Sequence, residues 1–347
     1  MRAALQPLGE LMASSRNSQV ENWPASVLAS CQIDGQTYGL PATAGSYAMV
    51  YNQELFEARG LPSAREEFPK TWDELRRFSA EITEWDGDTL VKMGMMPPRQ
   101  TVEYPIWVAT NGGQIYDAET FTYQLDSDPS VEYLTWLVEW LDDEYRGDMV
   151  QVDLANNWAE IVIDVRPPAF QAGLLGMMGN GFWFTGEFYN HGEATWERWN
   201  AAQYPVGPSG TETSSGYWPN WMVVPAQANN PAEGFGYLDF ISVDGMEIWF
   251  QKIPDLPTNT KVPPLTPQAT LENRGEEFTA AIVEFFTGQL EVATSMWTSP
   301  IQDFADDQIA RVLERAYAHQ GAPRDLLAEA QTACQAELDR VLASREG

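Results

Sequence analysis

The residues best suited to chemistry in this chain are aromatic. It carries 14 tryptophans in 347 residues. Several stand beside glycine, proline or asparagine, outside any helical stripe. Trp183 lies in Gly181-Phe-Trp-Phe184, and Trp218 and Trp221 lie in Gly216-Tyr-Trp-Pro-Asn-Trp221. Such neighbours put a ring on a loop or turn. An indole held there offers a flat apolar face while its N–H stays wet. The CH-rich face of a sugar ring suits that surface, and carboxylates and amides suit its hydroxyls. Core filling is the competing reading for any single ring, but taken together the two loops favour binding.

Other chemistries find little support. The only histidines are His191 and His319, neither in a catalytic motif, and both read as exposed or structural. No nucleophile elbow, phosphate loop, dinucleotide fingerprint or zinc-protease motif is present. The cysteines, Cys31 and Cys334, form no close pair and read as buried thiols. No cofactor and no metal is expected. Carboxylates abound, but Asp142-Asp-Glu144, Glu276-Glu277 and Asp306-Asp307 read as solvated helix faces or helix ends. A glycosidase would need two carboxylates set at catalytic separation. The net charge of −30 and the scarcity of lysine argue against nucleic acid and for a soluble monomer.

Helices and short strands must position these rings. Thr71-Trp-Asp-Glu74 is a capping box, opening a helix that buries Trp72, Leu75, Phe78 and Ile82. Residues 20–41 read as loop, Ala48–Tyr51 and Val91–Met96 as strands, and Gln53–Arg59 and Pro105–Thr110 as short helices. A hairpin pairs Gln114–Tyr116 with Phe121–Leu125. Asp128 caps a helix with the stripe Val131, Leu134, Leu137, Val138 and Leu141. Strands are expected at Leu174–Met178 and Trp221–Pro225. Helices follow at Asn230–Ile241, Glu276–Phe286, Asp306–Ala318 and Arg324–Leu342. Strands alternating with helices predict an α/β fold.

These segments, taken in order, resemble the extracellular solute-binding proteins of family 1, the substrate-binding components of ABC importers. Ile33–Pro41 resembles the family's DGK-YGLP segment, Val50–Leu61 its YYNKDLFEKAGL, and Pro69–Leu75 matches PKTWDEL. Asn111-Gly-Gly113 falls where the family has paired glycines. Phe170–Met178 with Gly181-Phe-Trp183, then Gly216–Val224 with Asn230–Ile241, continue the series to Gly321–Gln331. Leu174 and Phe182 depart from the family's Lys and Pro and leave the tryptophan in place.

The resemblance implies a two-lobed, type II periplasmic-binding-protein fold. Residues 1–46 and 216–265 would form the first lobe, and 47–215 with 266–347 the second. A carbohydrate would sit in the inter-lobe cleft and pass to the transmembrane permease subunits. Trp183 is expected to stack on the sugar from the second lobe, with Trp218 and Trp221 opposite. Tyr47, Trp107, Asn111 and Glu187 complete the expected ligand contacts. A polyamine or other small solute, or a carbohydrate-active enzyme, are the alternatives. The resemblance also implies an extracytoplasmic site, in the periplasm or lipid-anchored at the cell surface, although Met1–Ser15 has no signal-peptide pattern. Leu5–Leu11 resembles a family segment that follows the first strands, so the first lobe is expected to be incomplete and to expose strand edges.

Overall fold

A computed structural model describes residues 4–33, 35–98, 101–155, 169–184, 198–295 and 299–346. The chain forms two compact units. The first comprises Met1–Tyr47, Gly181–Asn190 and Tyr217–Trp297, and the second comprises Ala48–Asn180, His191–Gly216 and Thr298–Gly347.

In the first unit, strand Gly39–Asn52 contributes its opening half to a sheet. Its neighbours are Ser215–Val223 on one side and Leu256–Pro257 on the other, both antiparallel. Ala293–Ser295 adds to the outer side of Ser215–Val223. Alternate residues of a strand face opposite ways. Ala42, Ala44 and Ser46 therefore share one face, and Thr43, Gly45 and Tyr47 the other. On the first face Ser46 Oγ donates to the Phe286 carbonyl at 2.7 Å. Phe286 in turn packs on Phe182, ring centroids 4.9 Å apart. A separate core joins Leu8, Met12, Trp23, Leu28, Leu40, Val224, Phe235 and Leu238.

Two expectations change here. Residues 20–41 are not simply loop: they hold a helical turn at Ala25–Ala29, the ladder Gln32–Ile33 with Gln36–Thr37, and the start of the long strand. Pro41 is tolerated in that strand because the register shifts beside it, between Asn220 and Trp221, where a ladder bond is not required. Helix Gln268–Val292 and the segment around Trp183 belong to the first unit, not to the grouping 47–215 with 266–347. The reason is packing: Phe286 and Phe182 cover the underside of the first unit's own strand.

The second unit has a mixed sheet in the order Trp199–Ala202, Gly39–Asn52, Leu175–Gly181, Thr89–Met95, Glu84–Asp86. Thr89–Met95 runs parallel to Leu175–Gly181, and Trp199–Ala202 antiparallel to the long strand. Helix Trp72–Ile82 starts at the expected capping box, with Thr71 Oγ1 accepting from Glu74 N–H at 3.3 Å. Trp72, Leu75, Phe78 and Ile82 are all buried. Thr71→Ala should cost about 1 kcal/mol, read as a lower urea midpoint; an unchanged midpoint would show that the box contributes nothing.

Helix Asp128–Tyr145 begins one residue earlier than expected, with Ser127 at the cap position. Its buried face keeps Leu134, Leu137 and Leu141 of the expected stripe and adds Tyr133, Trp136, Trp140 and Tyr145, while Val131 and Val138 are only partly buried, because the larger rings gain more from burial. Glu144 is not a solvated charge: Ser79 Oγ donates to its Oε1 at 2.6 Å and Trp140 Nε1 to its Oε2 at 2.6 Å. Cys31 and Cys334 are buried free thiols, and burial pushes each up to about 12. No helix among the described residues is long and apolar enough to cross a membrane.

Candidate functional site

The second face of the first unit's sheet gathers most of the expected rings. Thr43, Gly45 and Tyr47 lie on it, and Trp218 pairs in register with Gly45, Asn220 with Thr43. Directly paired residues of an antiparallel ladder share a face, so Trp218 and Asn220 join them. On the other side Leu256 pairs with Ala44, which sets the preceding residue, Asp255, beside Gly45.

Trp183 closes this arrangement. Phe182 N–H donates to the Ser46 carbonyl at 3.1 Å, and the Phe182 ring turns to the underside. The next side chain, Trp183, lies over the sheet. A Cβ added at Gly45 or at Gly181 would run into its indole. Two bare backbones thus form the seat of one ring. Tyr47 meets that ring edge-on, with centroids 5.0 Å apart and an interplanar angle of 83°. Trp183 and Trp218 are half-buried, so each keeps an accessible part. Tyr47 is only 6 % exposed and acts as a wall for Trp183. Trp221, beyond the register shift, donates its Nε1–H to Ser30 Oγ at 3.0 Å.

Polar groups border the rings. Asp255 is 3 % exposed. Its Oδ2 accepts from Asn220 Nδ2 at 2.9 Å and from Thr43 Oγ1 at 3.3 Å. Asn220 Nδ2 also donates to Thr43 Oγ1 at 2.7 Å. Burial raises the Asp255 carboxyl to about 7, against the opposing pull of those hydrogen bonds. The face can therefore hold a flat apolar ring against Trp183 and meet its edge with the half-buried Asn220 amide, while Thr43 and Asp255 are buried behind that amide.

The remaining expected contacts do not join it. Trp107 is fully buried in the second unit's aromatic core. It stacks on Tyr133 at 6.0 Å, meets Tyr204 edge-on at 5.1 Å, and donates to Glu103 at 3.4 Å. No face of it is left for a ligand. Asn111 is also fully buried. Its Nδ2 donates to Glu132 at 2.8 Å and to the Pro129 carbonyl at 3.1 Å, and its Oδ1 accepts from Ser209 N–H at 2.9 Å. It braces loops. Glu187 and His191 lie outside the described residues. His319 is exposed, 3.1 Å from Asp142.

Asp255 and its partners escaped the sequence reading. A signal existed: one acid in the otherwise apolar run Ile253-Pro-Asp-Leu-Pro257 points to a carboxylate held where water does not reach.

Residues 2–281 match the family described as bacterial extracellular solute-binding protein. The chain belongs to that family. A binding protein of Brucella abortus (strain 2308) is 26% identical over 213 residues, which is 60% of this chain and 47% of that protein. The chain thus spans about half the length of the curated relatives it matches. Among solved structures, the substrate-binding protein of Listeria monocytogenes in complex with cycloalternan superposes with a TM-score of 0.77. It is 16% identical, over 97% of this chain and 81% of that one. The GacH receptor of Streptomyces glaucescens, solved unliganded and with acarbose, gives 0.74 at 19% identity, over 97% of this chain and 80% of that one. UgpB of Mycobacterium tuberculosis in complex with glycerophosphocholine gives 0.75 at 15% identity, over 98% and 80%. At these identities the likeness carries the fold: this solute-binding protein has the α/β, two-lobed architecture of its relatives.

Proposed function

We propose that this solute-binding protein is the carbohydrate-binding component of an ABC importer, and that its two compact units are the family's lobes. The observation that carries the reading is the Trp183 ring, seated over Gly45 and Gly181 and walled by Tyr47. Stacking against a pyranose face needs such a fixed ring, and Trp218 and Asn220 stand beside it for the hydroxyls. Binding rather than hydrolysis is favoured because, among the described residues, this face carries one carboxyl, Asp255, tied to Thr43 and Asn220, where hydrolysis would need two. The protein would act as a monomer outside the cytoplasm, in the periplasm or at the cell surface, and hand its sugar to membrane permease subunits.

The acid beside aromatic rings also suits a polyamine. A carboxyl raised to about 7 is a weak counter-charge near neutral pH, which favours the neutral ligand. Titration calorimetry with maltotriose, mannotriose and spermidine separates the two. A sugar should bind, and Trp183→Ala should weaken it about thirtyfold, equivalent to about 2 kcal/mol of lost apolar contact. Binding of spermidine alone, or a Trp183→Ala affinity equal to the wild type, would overturn the reading.

A further inference from the structure

One atom on the ligand face is unmatched. Asp255 Oδ2 takes two hydrogen bonds, but Oδ1 is buried and accepts none from the described residues. Such an orphan is costly, so its surroundings matter. Oδ1 lies 3.0 Å from where a Gly45 Cβ would stand, and the Trp183 indole edge occupies that same space. The carboxyl and the ring are therefore joint tenants of the gap that glycine leaves.

We propose that Asp255 is a positioning residue for the stacking ring: tied through Oδ2 to Thr43 and Asn220, its carboxyl is the wall against which Trp183 is seated over Gly45. This rests on the reading of Trp183 as the sugar platform. The proton on Asp255 then becomes part of the seat. Among the described residues, the side chains set against the carboxyl are Thr43 from the long strand, Asn220 from the adjacent strand, and Trp183 over Gly45. None of these is charged near neutral pH, and among the described residues the carboxyl's shift comes from burial, opposed by the hydrogen bonds from Thr43 and Asn220. The neutral acid can stay dry beside the ring. An ionised Oδ1 must recruit water, and the space for water is the space the indole fills. The folded carboxyl titrates at about 7, so the ring is seated below that pH and released as the pH rises through it.

The test follows Trp183 itself. The whole chain is labelled with 5-fluorotryptophan, and the Trp183 ¹⁹F resonance is assigned by its loss in Trp183→Phe. In the wild type it should shift with a midpoint near 7, and in Asp255→Asn it should stay constant. Asn220→Ala removes a hydrogen bond to the carboxylate and should move the midpoint upward. Affinity for maltotriose or mannotriose, whichever binds, should fall about tenfold from about pH 6 to about pH 8, following the neutral fraction, and remain flat in Asp255→Asn. A Trp183 resonance that ignores pH in the wild type, or keeps its midpoint in Asp255→Asn, overturns the proposal. A sugar that still binds in that case leaves the carbohydrate reading standing. A resonance that titrates as expected in a chain that binds no sugar supports the seat and removes the carbohydrate reading.

Discussion

Gly94→Ala should destabilise the second unit by at least about 3 kcal/mol, near the upper range for an overpacked core. A Cβ at Gly94 would overlap the carbonyl oxygen of Ser79 and lie 2.5 Å from that residue's Cα. These are backbone atoms in the middle of helix Trp72–Ile82, so no rotamer change relieves the clash. The position beside it is equally tight: a Cβ at Gly176, between Leu175 and Met177 in the paired strand, would sit 2.5 Å from the Gly94 carbonyl. Two adjacent glycines thus let the helix rest on the sheet. Gly94 N–H donates to Thr83 Oγ1 at 2.9 Å, and that bond would be lost as the helix lifts. The unit holds Trp72, Trp107, Trp136 and Trp140 in its core, so its unfolding in urea is visible by tryptophan fluorescence. A midpoint shift worth less than about 1 kcal/mol would mean that the helix can slide, and that the glycine pair is not needed for its approach.

The helices were legible in the sequence because their signals are local. Thr71 and Glu74 are three residues apart and satisfy each other's backbone whatever surrounds them. Helix Asn230–Ile241 is found at Pro231–Ser242 by the same logic of a proline at its first turn. The long strand was half legible. Its second half, Ala48–Tyr51, has the apolar run of a buried strand, but its first half, Gly39–Ser46, is made mostly of small residues, with one leucine and a proline, and has little strand preference. Those small residues are explained only by what lies over them: the Trp183 indole on Gly45, and the Phe182 and Phe286 rings on the opposite side.

The same distinction governs the site. The sequence singled out Trp183 and Trp218 by their glycine and proline neighbours, which predict a loop, whereas Trp218 lies within strand Ser215–Val223; Tyr47 stood out by its place at the change of unit. Trp107 carried a similar signal, beside a Asn-Gly-Gly turn, yet it is core. What separates it from Trp183 is its partners at distance, Tyr133 and Tyr204. No spacing rule reports those. Asp255 was hidden for the converse reason. Its partners Thr43 and Asn220 lie 212 and 35 positions away, and a single acid in a chain of this charge does not stand out by composition.

Gly45→Ala makes the contrast with Gly94 testable. Its added Cβ also meets an occupied space, but the occupants are side chains: the Trp183 ring, and Asp255 Oδ1 at 3.0 Å. Gly45 has no positive φ, so alanine fits its backbone without strain. The indole can yield by rotating off the sheet, and since it is already half-buried the cost in stability should be small, about 1 kcal/mol. The cost to binding should be large. A ring displaced from its seat no longer offers its face, and sugar affinity should fall about thirtyfold or more, as for removal of the ring. Calorimetry and a thermal melt on the one variant decide the matter. Lost binding with a nearly unchanged melt is the expected pair. Unchanged binding would mean that the ligand does not use the seated ring. A collapse of the melt would mean that Trp183 is held in the fold as rigidly as the Ser79 backbone, and serves as core rather than as a platform.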